Sequence, residues 1–229
     1  PDMRRTLFLV LFISYAYFYQ AGGWNQNSRF ALVRAILNEH TVRIDPYQRN
    51  TGDIAFYEGH YYSDKAPGLA LAAVPVTAPV RLVYIASGGD PETFDGLALL
   101  SWAATILTVG LLTAAAGVVV FSLSQAWGAP VGASLFAAFT FGLATPMWFM
   151  ATLFIGHAIS AACLLFAFAA AWRICAEEEL APSQPIAPPN RCCRIPTATR
   201  PACDDRPQST PTRDETAHLR CRGFGVAAP

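Results

Sequence analysis

The sequence predicts an all-α protein, polytopic in a membrane, with a long external loop that carries an interfacial helix and a disordered carboxy-terminal tail. Three observations point to that class. Charged residues make up 14% of the 229, against about 25% in an ordinary soluble domain, and mean hydropathy is +0.32. From Gly96 to Trp172 there is no Asp, Glu, Lys or Arg, a stretch several times the roughly 20 apolar residues that cross a bilayer. Between Trp24 and Gly68, by contrast, stand Arg29, Arg34, Glu39, Arg43, Asp45, Arg49, Asp53, Glu58, Asp64 and Lys65. A dense polar loop between apolar spans is where a membrane protein can keep its chemistry. The formal net charge is zero and the pI about 7.3, so nothing favours nucleic acid as a partner.

The chain opens Pro1-Asp2-Met3, the pattern of a fragment or of a start upstream of the initiator. Arg4 and Arg5 precede the apolar run Thr6 to Gly22, which lacks the small-residue cleavage pattern of a signal peptide. It reads as a first transmembrane helix with its basic end in the cytoplasm and Tyr15, Tyr17, Phe18 and Tyr19 at the outer interface. Residues 23–66 then form the external loop. Within it, Phe30, Val33, Ile36 and Leu37 share one helical face, which suits a helix lying on the membrane surface or one packed on other loop residues. Pro46, Asn50-Thr51-Gly52 and Glu58-Gly59 break the rest of the loop into turns and short extended pieces.

Ala66 to Ala86 is apolar but carries Pro67, Pro75, Pro79 and Arg81. It either crosses the membrane or lies as a kinked helix at the interface. Leu97 to Leu123, Ala129 to Ala144 and about Phe149 to Trp172 are clearer spans, with Thr145-Pro146 between the last two. Charge parity favours the interfacial placement, because it leaves the acidic loop Gly88 to Asp95 outside and Arg173 in the cytoplasm. The chain thus divides into 1–173, the transmembrane part, and 174–229, rich in proline and arginine without apolar periodicity. The second region reads as disordered, or as the product of a frameshift or truncation. Cys163 packs in an apolar span, and Cys175, Cys192, Cys193, Cys203 and Cys221 have no zinc-ligand spacing.

The sharpest chemical feature is the stretch Tyr61 to Gly68, which contains Asp64 beside Lys65, the only lysine of the chain. A lysine can hold a phosphate and an aspartate can take a hydroxyl proton or ligate a metal, and the same two residues can also be a solvated pair at a helix start. Arg29, Arg34, Arg43 and Arg49 suit a phosphate or an anionic lipid if the loop gathers them. Asp45 and Asp53 are the other candidate bases, or else turn-forming residues. His60 can join Asp64 on a divalent metal, and His157 is the only histidine between Gly96 and Trp172, where a titratable side chain is costly and often functional.

The order of these features resembles the multi-spanning GT-C glycosyltransferases, in particular glycosyltransferase family 39 and its relatives, the lipid A aminoarabinose transferases and protein O-mannosyltransferases. Tyr61-Tyr62-Ser63-Asp64-Lys65-Ala66-Pro67 is similar to their aromatic-acid-Lys/His-Pro motif, and Arg29 with its amphipathic helix to the segment upstream. The likeness covers about residues 6–172, the amino-terminal part of that architecture. It implies a bacterial plasma membrane protein whose active face is external. It also implies transfer of a sugar from a polyprenyl-phosphate donor to an acceptor hydroxyl, with inversion. Lys65 would contact the donor phosphate with Arg29 assisting, and Asp64 would organise the site or a metal. Where the family carries an acid after the first helix, Asn25-Gln26-Asn27 stands here. A neutral amide cannot be a general base. Either Asp45, Asp53 or Asp64 takes that role, or the chain is a non-catalytic protein that binds polyprenyl phosphate or anionic lipid, or an inactive fragment.

Overall fold

The computed structural model describes residues 2–180. The chain divides into two compact units, Pro1–Ala170 and Ala171–Pro229; of the second, the described part is the end of one helix. The fold is mostly helical: α1 (Met3–Tyr17), α2 (Trp24–Glu39), a 3-10 turn (Asp45–Asn50), the strands β1 (Ile54–Tyr57) and β2 (His60–Ser63), α3 (Gly68–Ala86), α4 (Phe94–Thr105), a π segment (Ile106–Gly110), α5 (Leu111–Ala126), α6 (Val131–Leu143), α7 (Pro146–Ala151) and α8 (Gly156–Leu180). The tail expected from residue 174 therefore starts as helix, and residues 181–229 lie outside the described part.

Three helices are long and apolar enough to cross a membrane: α3, the continuous Phe94–Ala126 helix and Gly156–Ala176 within α8. The expected first span is shorter than the sequence suggested. α1 has 15 residues and stops at Tyr17, which at 1.5 Å per residue is about 22 Å of helix. Likewise α6 has 13 residues. The span expected from Phe149 starts at Gly156, because α7 breaks off ahead of it.

α3 is a single helix despite Pro75 and Pro79. Their spacing of four puts both missing amide donors on one side, and that side is the exposed one, with Leu71, Leu82 and Val83. Ala70, Ala73 and Thr77, fully buried, mark the opposite stripe.

The 33-residue helix from Phe94 to Ala126 is the surface on which α3, α1 and α6 pack. α3 covers its first half, and α2 packs on α3. Leu69, Ala70, Ala73, Ala104 and Val109 meet Ala31 to Val33, Ile44, Phe154 and Ala158 in one cluster. The apolar side of α2, including Phe30, Ile36 and Leu37, is thus occupied by protein. α1 covers the second half, together with α6. Leu7, Leu11 and Tyr15 meet Ile106, Ala114, Phe121 and Ala138 there. Small residues allow this approach. A Cβ on Gly117 would stand 2.4 Å from Leu11 Cδ1, and one on Gly142 would stand 2.6 Å from Leu11 Cδ2. Both glycines are therefore close-packing positions against the fully buried Leu11. The Tyr15 hydroxyl donates to the Gly142 carbonyl at 3.0 Å, and Trp102 Nε1 to the Ala16 carbonyl at 3.0 Å.

Enlarging Gly142 to Val forces Leu11 and Tyr15 aside and is expected to lower stability by about 1–3 kcal/mol, the usual range for overpacking. Tyr15→Phe removes one interhelical hydrogen bond and costs about 0.6–1.7 kcal/mol. Both are read from denaturant unfolding of the detergent-solubilised chain, and equal stability of Gly142→Val and wild type contradicts the packing.

Candidate functional site

The polar loop is built on a β-hairpin. Glu58 and Gly59 both have positive φ, 48° and 84°, the conformation of a two-residue hairpin turn that matches strand twist. Pairing runs from Tyr57 with His60 to Ile54 with Ser63. One step further along the same register lie Asp53 and Asp64. The hairpin thus brings together two carboxylates that are distant in sequence, and Lys65 comes directly after them.

Lys65 Nζ lies 3.0 Å from Asp53 Oδ2 and 3.1 Å from Asp64 Oδ2. The bridge to Asp53, and then that to Asp64, holds the Lys65 ammonium above its ordinary range. Arg29 lies within electrostatic reach of Asp64. Its Nε donates to Asn25 Oδ1 at 3.0 Å and its Nη1 to the Ala66 carbonyl at 2.9 Å. Burial lowers the Arg29 pKa, and the charge of Asp64 opposes that. A Cβ on Gly156 would lie 3.9 Å from Arg29 Nη2, so the first turn of α8 borders the site. Two carboxylates and two cations make the group formally neutral, with Oδ1 of each aspartate free of any partner among the described residues.

The hairpin is tied down at several points. Ser63 Oγ and Ser28 Oγ, the latter fully buried on α2, are 2.7 Å apart. Thr51 donates to the Trp24 carbonyl at 2.7 Å and accepts from the Asp53 amide at 3.1 Å. Asn27 Nδ2 donates to the Asn50 carbonyl at 2.9 Å. Trp24 lies flat against Gly52, where a Cβ would meet its ring at 2.7 Å. The amides Asn25 and Asn27, standing where an acid was expected, are therefore structural partners of Arg29 and of the 3-10 turn.

Asp45 is held elsewhere. Its Oδ1 accepts from the Tyr61 amide at 2.7 Å, and its Oδ2 lies 2.9 Å from His60 Nδ1. The amide, followed by the His60 hydrogen bond, keeps this carboxyl below its ordinary pKa. The pairing of His60 with Asp64 anticipated for a metal is replaced by the pairing with Asp45, and no group of three His, Cys, Asp or Glu among the described residues is arranged to hold a metal ion. His157 is exposed in the first turn of α8, within the Gly156–Ala176 stretch that is long and apolar enough to cross a membrane.

The four arginines do not converge. Arg34 Nη2 pairs with Glu92 Oε2, and its guanidinium lies 4.0 Å from the centre of the Tyr47 ring. Arg43 acts electrostatically on Asp45, and Arg49 is exposed at the end of the 3-10 turn. What sequence reasoning missed is the Asp53–Lys65 bridge and the role of Ser28. The Glu58-Gly59 pair between Ile54–Tyr57 and His60–Ser63 was the available signal, because it fixes the register that places Asp53 beside Asp64.

No family model, curated protein or solved structure matches this chain.

The depressed Asp45 pKa gives a sign to its pH dependence. The anchorage of β2 is complete above the ordinary carboxylate value of about 3.9 and is lost as pH falls through the lower folded-state value. Hydrogen exchange at the Tyr61 amide is expected to stay protected at pH 5 and to lose protection in strong acid. Asp45→Ala should abolish that protection at every pH. Protection in the variant equal to that of the wild type contradicts the anchor.

Proposed function

We propose that this chain is a membrane glycosyltransferase-like protein that transfers a sugar from a polyprenyl-phosphate donor to an acceptor hydroxyl at the external face of a bacterial plasma membrane. Three long apolar helices support membrane residence. The observation that carries the chemistry is Lys65 bridging Asp53 and Asp64 beside Arg29. In this reading the donor phosphate displaces one carboxylate from Lys65 and takes further charge compensation from Arg29. The freed carboxylate accepts the acceptor's hydroxyl proton. The acceptor oxygen forms a bond to the anomeric carbon as the bond from that carbon to the phosphate oxygen breaks, and polyprenyl phosphate leaves. Asp45 is the poorest base of the three aspartates because the Tyr61 amide and His60 already stabilise its charge.

The placement of α3 against only the first half of the Phe94–Ala126 helix, opposite α1 on the second half, supports an interfacial rather than a spanning α3. At about 50 Å, that helix exceeds the roughly 30 Å of hydrocarbon. Its first half can stand at the outer surface with the loop.

The test is release of polyprenyl phosphate from a synthetic short-chain polyprenyl-phosphate sugar by the full chain in lipid vesicles. Wild type is expected to turn over, Lys65→Met to lose binding and turnover, and one of Asp53→Asn and Asp64→Asn to lose about 10²–10⁴-fold in rate with donor binding kept. No turnover by wild type, or equal turnover by all three variants, refutes the assignment.

A further inference from the structure

A second polar site lies away from Lys65, where α2, the 3-10 turn, α3 and the turn before α4 meet. A cavity of about 520 Å³ is lined there by Arg34, Asn38, Glu39, Tyr47, Arg81 and Glu92. That volume falls within the usual range of about 300–1,000 Å³ for ligand pockets. Arg81 is the only charged residue between Gly68 and Gly89. It continues the buried stripe Ala70, Ala73, Thr77 of α3 and so faces the protein, not the open side of the helix.

The other charges of the cavity are differently placed. Glu92 is engaged twice, by Arg34 and by Asn38 Nδ2 at 2.9 Å, and Asn38 also donates to the Tyr47 hydroxyl at 3.0 Å. Gly96 makes this possible, since a Cβ there would stand 2.5 Å from the Asp90 carbonyl and displace the turn that carries Glu92. Arg81 has no hydrogen-bond or ion-pair partner among the described residues, and its Nε is buried, as are Arg34 Nε and Thr77 Oγ1, all three unpaired. These three residues share a space of about 10 Å³, close to what a single water occupies. Glu39, at the rim, is exposed and also without a partner among the described residues.

A half-buried guanidinium without a counter-ion is costly and is offset by an anion that occupies the cavity. The lining charges balance, however, two arginines against two glutamates, which disfavours a dianion. The free pair is Arg81 inside and Glu39 outside. An apolar groove of about 360 Å³, lined by Tyr19, Phe30, Phe94 and Leu97, adjoins the cavity and shares Arg34 with it. Phe94 is 85% exposed there.

We propose that this cavity binds a zwitterionic phosphodiester headgroup, its phosphate on Arg81 and its ammonium toward Glu39, with the attached acyl chain in the Phe30–Phe94 groove. The site does not depend on glycosyl transfer at Lys65. The same headgroup can arrive on a membrane lipid or as a soluble zwitterion, and chain length separates the two.

The experiment is calorimetric titration of the full chain in detergent with dihexanoyl-phosphatidylethanolamine, dihexanoyl-phosphatidylglycerol and glycerophosphoethanolamine. Wild type is expected to bind the first at least tenfold more tightly than either of the others, and Arg81→Gln to lose at least tenfold. Arg5→Gln, an exposed change in the first turn of α1, controls for general loss of positive charge. Equal binding by wild type and Arg81→Gln overturns the site. Glycerophosphoethanolamine binding as tightly as the lipid keeps the headgroup site and overturns the acyl chain. Should Arg81→Gln not fold, Glu39→Gln, at an exposed position, carries the test. It should erase the preference for the ethanolamine lipid over the glycerol lipid, and an unchanged preference refutes the zwitterion.

Discussion

The described unit depends on one long helix that satisfies its own backbone. From Phe94 to Ala126 it offers a face to α3 on the first half and to α1 and α6 on the second, while α2 packs on α3. The π segment at Ile106–Gly110 sits between the two halves. Thr108 within it, and Thr105 and Thr113 on either side, return their hydroxyls to carbonyls one turn back in the same helix. Small residues then set how closely neighbours come. Leu11 is held between Gly117 and Gly142, and this single leucine registers α1 against both α5 and α6.

On that scaffold the polar loop is organised by hydrogen bonds rather than by burial. The hairpin is only two strands, too little to be stable alone. It is held by Asp45 and Ser28 at either end of β2, and by Thr51 and Asn27 next to the 3-10 turn. Ser28 and Asn27 are side chains of α2, and Thr51 bonds the Trp24 carbonyl of the same helix, so the position of Lys65 is set largely by the helix beneath it. The result is two polar sites of different character on one helix. Arg29 reaches toward Ala66 and Asp64, while Arg34, five residues later, is turned by the helical twist toward Glu92 and Tyr47.

Much of the fold class was legible. The absence of charge from Gly96 to Trp172 is a sum over local residue properties, and it identified apolar helices without any knowledge of packing. Helix ends were less legible. The first apolar run extends to Gly22 but α1 stops at Tyr17, because an apolar run does not say where backbone bonding ceases. Pro75 and Pro79 left two readings open, a spanning segment or a kinked interfacial helix. α3 is one helix because both prolines fall on the side that needs no partner.

Of the candidate site, the sequence by itself determined the residue inventory: Asp53, Asp64, Lys65 and Arg29 in a polar loop, and the Glu58-Gly59 turn among them. Only the tertiary structure decided which of these residues meet. Asp53 joins Asp64 because hairpin register continues past Ile54 and Ser63. Asp45 is withdrawn to His60, and Arg81, which the sequence offered only as a topological charge, faces a cavity shared with Arg34. The physical reason is range. Hydropathy and turn preference act between neighbours and can be read along the chain, whereas ion pairing depends on strand register and helix packing between segments far apart in it.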